Sequence, residues 1–136
     1  MSKKYKASSA PVKKLLREAR KGLKHAIPTP SGYRVGAALR TTSGKIFLGG
    51  NIVNPSYMLT LCAERVALYK ALSEGERRFS HIAVVANGKK TPFPCGACRQ
   101  ILWEFAPDLQ VVVSNDKKGR FHTWDLAELL PHAFEV

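Results

Sequence analysis

Acidic side chains are scarce in this chain: ten Asp and Glu stand against 22 Lys and Arg, for a formal charge of +12 over 136 residues. The shortage is uneven. Residues 1–24 hold nine cations and one acid, Glu18, whereas the other 112 residues hold 13 cations and nine acids. That distribution argues against a basic surface spread over the whole molecule. It assigns most of the excess to an N-terminal tail and to the solvent face of a first helix. Aromatics are too few among those lysines to form a platform on which bases stack. Long apolar runs are also missing: nothing approaches the roughly 20 residues of a membrane span. The start, MSKKYKASSA, lacks the apolar middle of a secretory signal, so the expected location is the cytoplasm. Cysteines number three, an odd and small count that does not build a disulfide framework. The length suits one domain with a core of its own: a basic tail over 1–10 and a single domain over 11–136.

Within that domain, PVKKLLREARKGLKHA (11–26) sets Val12, Leu15, Leu16, Ala19, Leu23 and Ala26 at helical spacing, with Ser8 or Ser9 as N-cap. IPTPSG breaks the helix. YRVGAALRTTSGKIFLGG predicts two strands joined across TTSG, and NIVNPS a loop. CAERVALYKALSEG predicts a second helix, HIAVVAN a buried strand, CGACRQILWEFA a third helix and LQVVVSN another buried strand. FHTW predicts a short strand, and DLAELLP a last helix with Asp125 near its cap and Pro131 as its stop. A hairpin followed by alternating strands and helices argues for a mixed sheet covered by helices, α/β or α+β in class.

All three cysteines fall at or near predicted helix starts, where free N–H groups and the helix dipole favour a thiolate. Cys95 and Cys98, as C-x-x-C, can point two sulfurs at one ion, and Cys62 supplies a third if its helix lies alongside. Three protein ligands leave a fourth tetrahedral position for water, the pattern of a catalytic zinc site. Glu64, two residues after Cys62, can reach such a water without being a ligand and carry its proton elsewhere. The pairing suits hydrolytic loss of ammonia from an amidine-like carbon. C-x-x-C alone fits a redox pair or a structural zinc equally well. A redox pair makes no use of Cys62 or Glu64, and a closed zinc site needs a fourth ligand. None of His25, His81, His122 and His132 is spaced as a partner to a cysteine.

C-x-E followed by P-C-x-x-C is the pattern of zinc nucleobase deaminases with cysteine as first ligand. SGYRVGAAL, GGNIVNPSYMLTLCAERVAL, KALSEG, PCGACRQILWEF and ELLPHAF together resemble the small cytidine deaminase family from residue 11 onward. The resemblance implies a three-layer α/β/α fold with a mixed five-stranded sheet. It implies one Zn2+ per chain on Cys62, Cys95 and Cys98, with Glu64 as proton shuttle. Arg65 matches a residue that offsets the thiolate charge, and Gln100 a further partner of the ligands. Tyr33 matches an aromatic against the nucleoside, Asn51 a ribose contact, and the N–H of Ala63 the group that reads the pyrimidine oxygen. Phe134 matches a phenylalanine that stacks on the base from a neighbouring subunit, which implies a homotetramer with shared active sites.

Two positions depart from the family pattern. Its N-x-E-N motif is Asn51-Ile52-Val53-Asn54 here, and a small polar residue before Pro94 is replaced by Phe93. Losing a charged acceptor from a buried sugar site costs about 1.5–3 kcal/mol of recognition. The expected activity is thus zinc-dependent deamination of cytidine and deoxycytidine with a pocket less strict about sugar or leaving group. The alternatives are a deaminase of modified cytosine nucleosides of the blasticidin S type, a nucleic-acid-editing deaminase, and a zinc-binding module without catalysis.

Overall fold

A computed structural model describes residues 10–115 and 117–136. The expected N-cap, Ser8 or Ser9, and nearly all of the lysine-rich tail lie outside the described residues. Helix α1 spans Ala10–Leu23 and buries Val12, Leu15, Leu16 and Ala19. Its intrinsic propensity is weak beside that burial, since each buried leucine is worth about 1.5–3 kcal/mol. The expected extension to Ala26 does not form. Lys24 and His25 close the end with N–H bonds to carbonyls three residues back, ahead of Pro28.

Strands β1 (Val35–Thr41) and β2 (Ile46–Gly50) form the expected hairpin, with Gly44 in the turn at φ +98°. Then come α2 (Ala63–Ser73), β3 (Phe79–Ala86), α3 (Gly96–Phe105), β4 (Gln110–Ser114) and β5 (His122–Asp125). The last helix, α4, is the single turn Leu126–Leu129, shorter than expected because Leu130 leaves helical geometry ahead of Pro131. The sheet order is β2-β1-β3-β4-β5, with β3 and β4 parallel and the other neighbours antiparallel. α1 packs on one face against Ala38, Ala83, Val85 and Val112. On the other face α2 and α3 cover Leu39, Ile82, Val84, Val111 and Val113. This is the three-layer α/β/α sandwich with a mixed five-stranded sheet.

Topology places the site. β1 runs antiparallel to both β2 and β3, so β2 and β3 point the same way and the helices that follow them start at one end of the sheet. Val35, which opens β1, pairs with Ala86 at the close of β3, and Gly36 pairs with Gly50 at the close of β2. Residues just before β1, just after β2 and just after β3 therefore converge. α2 can start there because Gly49 has no side chain: a Cβ at that position would overlap the carbonyl oxygen of Ala63.

Candidate active site

The expected loop, 51–56, and the residues that follow it up to Cys62 are stitched closed. Ile52 and Leu61 exchange N–H···O bonds of 2.9 Å, and Ile27 joins the same strip, donating to the carbonyl of Asn51 and accepting from the N–H of Val53, both at 2.8 Å. This ladder returns the chain to its starting point and delivers Cys62 as the N-cap of α2. Cys95 is the N-cap of α3, and Cys98 lies in its first turn. The sulfurs of Cys62 and Cys95 are 3.5 Å apart, and all three sulfurs lie within 4.8 Å of one another. Tetrahedral zinc with bonds of about 2.3 Å requires sulfurs about 3.8 Å apart, so the donor set fits the ion in chemistry and spacing.

Charge at the cluster is shared unevenly. Cys62 is held down to about 5, chiefly by hydrogen bonding with Cys98 and then by Arg65 and Cys95, against the opposing effect of burial. Cys98 moves the other way, upward, because it shares that bond with Cys62 and is itself buried. Arg65 donates from Nη2 to the sulfur of Cys62 at 3.6 Å, and the bond holds its guanidinium in the charged form. Both helix N-termini add positive potential where the sulfurs sit. Glu64 is 4% exposed, and burial pushes its carboxyl up to about 7. Its Oε2 has no hydrogen-bond partner among the described residues.

Beside the cluster is a pocket of 240 Å³ whose walls include Tyr33, Asn51, Val53, Ala63, Glu64 and Phe93, and which Cys62 and Cys95 also line. It is slightly smaller than the roughly 300–1,000 Å³ of drug-sized sites, which suits one small ligand. Val53 contributes an apolar side chain to the wall at the position where the N-x-E-N pattern has a charged acceptor. Phe93 packs edge-on against Trp124, with ring centroids 5.8 Å apart. Ala63 is the first residue of α2, where backbone N–H groups have no intrahelical acceptor.

Asn51, Gln100 and Phe134 each have contacts within the chain itself. The amide of Asn51 is occupied on the protein itself: Oδ1 accepts from the N–H of Val35 at 2.8 Å and Nδ2 donates to the carbonyl of Tyr33 at 3.1 Å. One N–H and one lone pair of that amide remain for a ligand. Gln100 donates to the carbonyl of Phe134 at 3.0 Å, so its described partner is the C-terminal segment rather than a sulfur. Phe134 is 71% exposed and lies outside the pocket, in a groove with Trp103 and Pro107.

Other contributors were not legible as site residues. Thr60 and Leu61 also line the pocket. Arg99 joins the carbonyl of Pro94 (2.7 Å) to that of Leu129 (2.9 Å), which fixes the turn into Cys95. Asn87 grips the segment that carries Tyr33. Arg99 and Asn87 are polar residues whose partners are backbone groups, and backbone groups have no sequence signature.

Residues 10–114 match the family model described as the cytidine and deoxycytidylate deaminase zinc-binding region. The chain is 43% identical to a cytidine deaminase of Sporosarcina psychrophila over 90% of each chain. It is 45% identical to the cytidine deaminase of Halalkalibacterium halodurans, over 88% of this chain and 91% of the relative. A crystal structure of cytidine deaminase from Burkholderia pseudomallei superposes with a TM-score of 0.84 at 43% identity, covering 89% of this chain and 97% of that one. With three converging thiols, a buried carboxyl two residues beyond the first and these matches along nearly its whole length, the chain belongs to the zinc-binding cytidine and deoxycytidylate deaminase family.

Proposed function

We propose that this enzyme hydrolyses the exocyclic C–N bond of cytidine and deoxycytidine, consuming water and releasing ammonia with uridine or deoxyuridine. The observation that carries the reading is Glu64, a buried carboxyl with an oxygen unpartnered among the described residues, in the wall of a pocket that Cys62 and Cys95 of the three-sulfur cluster also line. Burying a carboxyl without a partner costs free energy that a purely structural residue would not need to impose.

Cys62, Cys95 and Cys98 hold one zinc ion per chain. Bound there, zinc would supply the Lewis acidity that makes water a nucleophile near neutral pH. Glu64 accepts the proton that the attacking water loses, passes it to the ring nitrogen of the pyrimidine, and carries a second proton to the departing amine. An affinity for protons raised to about 7 suits a group that must both take and give one near neutrality. Arg65 offsets the negative charge of three thiolates, and the N–H of Ala63 reads the pyrimidine oxygen. Tyr33 and Phe93 confine the base, and the free half of the Asn51 amide meets the sugar. Phe134, exposed and outside the lining of its own pocket, serves the site of a neighbouring subunit in a homotetramer. The enzyme works in the cytoplasm on nucleosides recovered for reuse.

The test is ammonia release from cytidine and deoxycytidine by zinc-loaded protein, with sedimentation to give the subunit count. Glu64→Gln should abolish turnover while zinc is retained. Absence of ammonia from both nucleosides with wild type, or an undiminished rate in Glu64→Gln, defeats the proposal. Val53 favours a second reading, a deaminase of modified cytosine nucleosides, because an apolar wall does not select for an unmodified ribose. Faster turnover of a sugar-modified analogue than of cytidine would establish it.

A further inference from the structure

Residues 32–35 lead into β1, carry Tyr33 to the pocket wall, and lie between two asparagines. On one side is Asn51, with its bonds to the Tyr33 carbonyl and the Val35 N–H. On the other is Asn87, the first residue after β3. Its Oδ1 accepts from the N–H of Arg34 at 2.9 Å, and its Nδ2 donates to the carbonyl of Gly32 at 2.9 Å. The two amides thus take one backbone group from each of four consecutive residues, with Tyr33 among them. The Arg34 side chain adds a third anchor, donating to the carbonyls of Ala26 (3.0 Å) and Leu23 (3.3 Å) at the end of α1.

The residue after Asn87 receives the ring itself. A Cβ placed on Gly88 would lie 2.7 Å from Cε2 of Tyr33 and 3.2 Å from its Cδ2, both ring carbons. Gly88 is not among the glycines with positive φ, so its backbone does not call for glycine. What the bare position provides is room for the tyrosine ring.

We infer that Asn87 and Gly88 are positioning residues that set substrate fit by seating Tyr33: the asparagine fixes the backbone on both sides of it and the glycine accepts its ring. The inference rests on the deaminase reading above. Neither residue lines the pocket or belongs to the sulfur cluster, so each acts on ground-state binding and leaves proton transfer at Glu64 undisturbed.

The experiment measures kcat and KM for cytidine on zinc-loaded wild type, Asn87→Ala, Asn87→Asp and Gly88→Ala, each also in a Tyr33→Leu background, with zinc content recorded. Two ordinary hydrogen bonds correspond to a change of about tenfold. Asn87→Ala should therefore raise KM about tenfold with kcat within about twofold of wild type. Asn87→Asp, which keeps the acceptor for Arg34 but not the donor to Gly32, should fall between them. Gly88→Ala should raise KM comparably while every Asn87 bond persists. In the Tyr33→Leu background these effects should largely vanish, because the group they position is gone. Unchanged KM in both single variants, a loss confined to kcat, or full additivity with Tyr33→Leu overturns the inference while wild-type turnover leaves the deaminase reading standing. A wild type without turnover overturns both.

Discussion

Nη2 of Arg65 lies 3.6 Å from the sulfur of Cys62, across one turn of α2, and the contact places a permanent cation on a cluster that binds zinc as three anions. Partners that support metal ligands are commonly worth 10- to 100-fold in metal affinity or activity. Arg65→Gln is expected to lose zinc to a competing chelator about 10- to 100-fold more readily than wild type. Equal retention by the two proteins would show that the guanidinium does not support the cluster.

Glu64 gives a pH-dependent stability signature in zinc-stripped protein. Its carboxyl is raised by burial from the ordinary 4.5 to about 7, so across that interval the folded state binds more protons than the unfolded state. Stability contributed by this group is present below pH 4.5 and is lost as pH rises through 7. Glu64→Gln removes the loss, so thermal melts should show the variant gaining on wild type between pH 5 and pH 8, in the absence of zinc. A constant difference across that range would contradict the assignment.

Val53 is the wall residue where the family carries a glutamate. Restoring a charged acceptor should add about 1.5–3 kcal/mol toward a ribose hydroxyl. Val53→Glu should thus lower KM for cytidine by at least tenfold relative to a sugar-modified analogue. The comparison to make is the ratio of kcat/KM values for the two substrates, and an unchanged ratio removes Val53 from sugar selection.

His81 offers a probe remote from the chemistry. On β3 it pairs with Arg40 of β1 and Gln110 of β4, and burial, aided by the Arg40 charge, lowers its proton affinity. The unfolded chain takes up that proton first as pH falls, so stability is full above the ordinary histidine value of 6.5 and declines below it. Denaturant midpoints for wild type and His81→Asn should diverge with pH, the variant showing a shallower decline between pH 7 and pH 5.

The elements that local patterns encode were legible. α1 follows from apolar side chains at helical spacing, and β3 and β4 from continuous apolar runs, because periodicity is set by residues a few positions apart. The helix α1 ends three residues before the expected Ala26, where tighter N–H bonds close it ahead of Pro28 and the distant Arg34 takes the Leu23 carbonyl. The chemistry was equally local: C-x-E and P-C-x-x-C each sit on one helix start.

By itself the sequence determined the ligand types, the carboxyl beside them and the alternation of strands and helices, since each is written in neighbouring residues. Only the tertiary structure brought Cys62 to 3.5 Å from Cys95 across 33 positions, through a sheet in which β2 and β3 run the same way. It also decided that the Asn51 amide braces the Tyr33 segment, that Asn87 grips the same segment from the far side, and that Gln100 holds the chain at Phe134. The physical reason is common to all three. A side-chain amide bonds whatever backbone group the fold presents to it, and that group has no residue type to read.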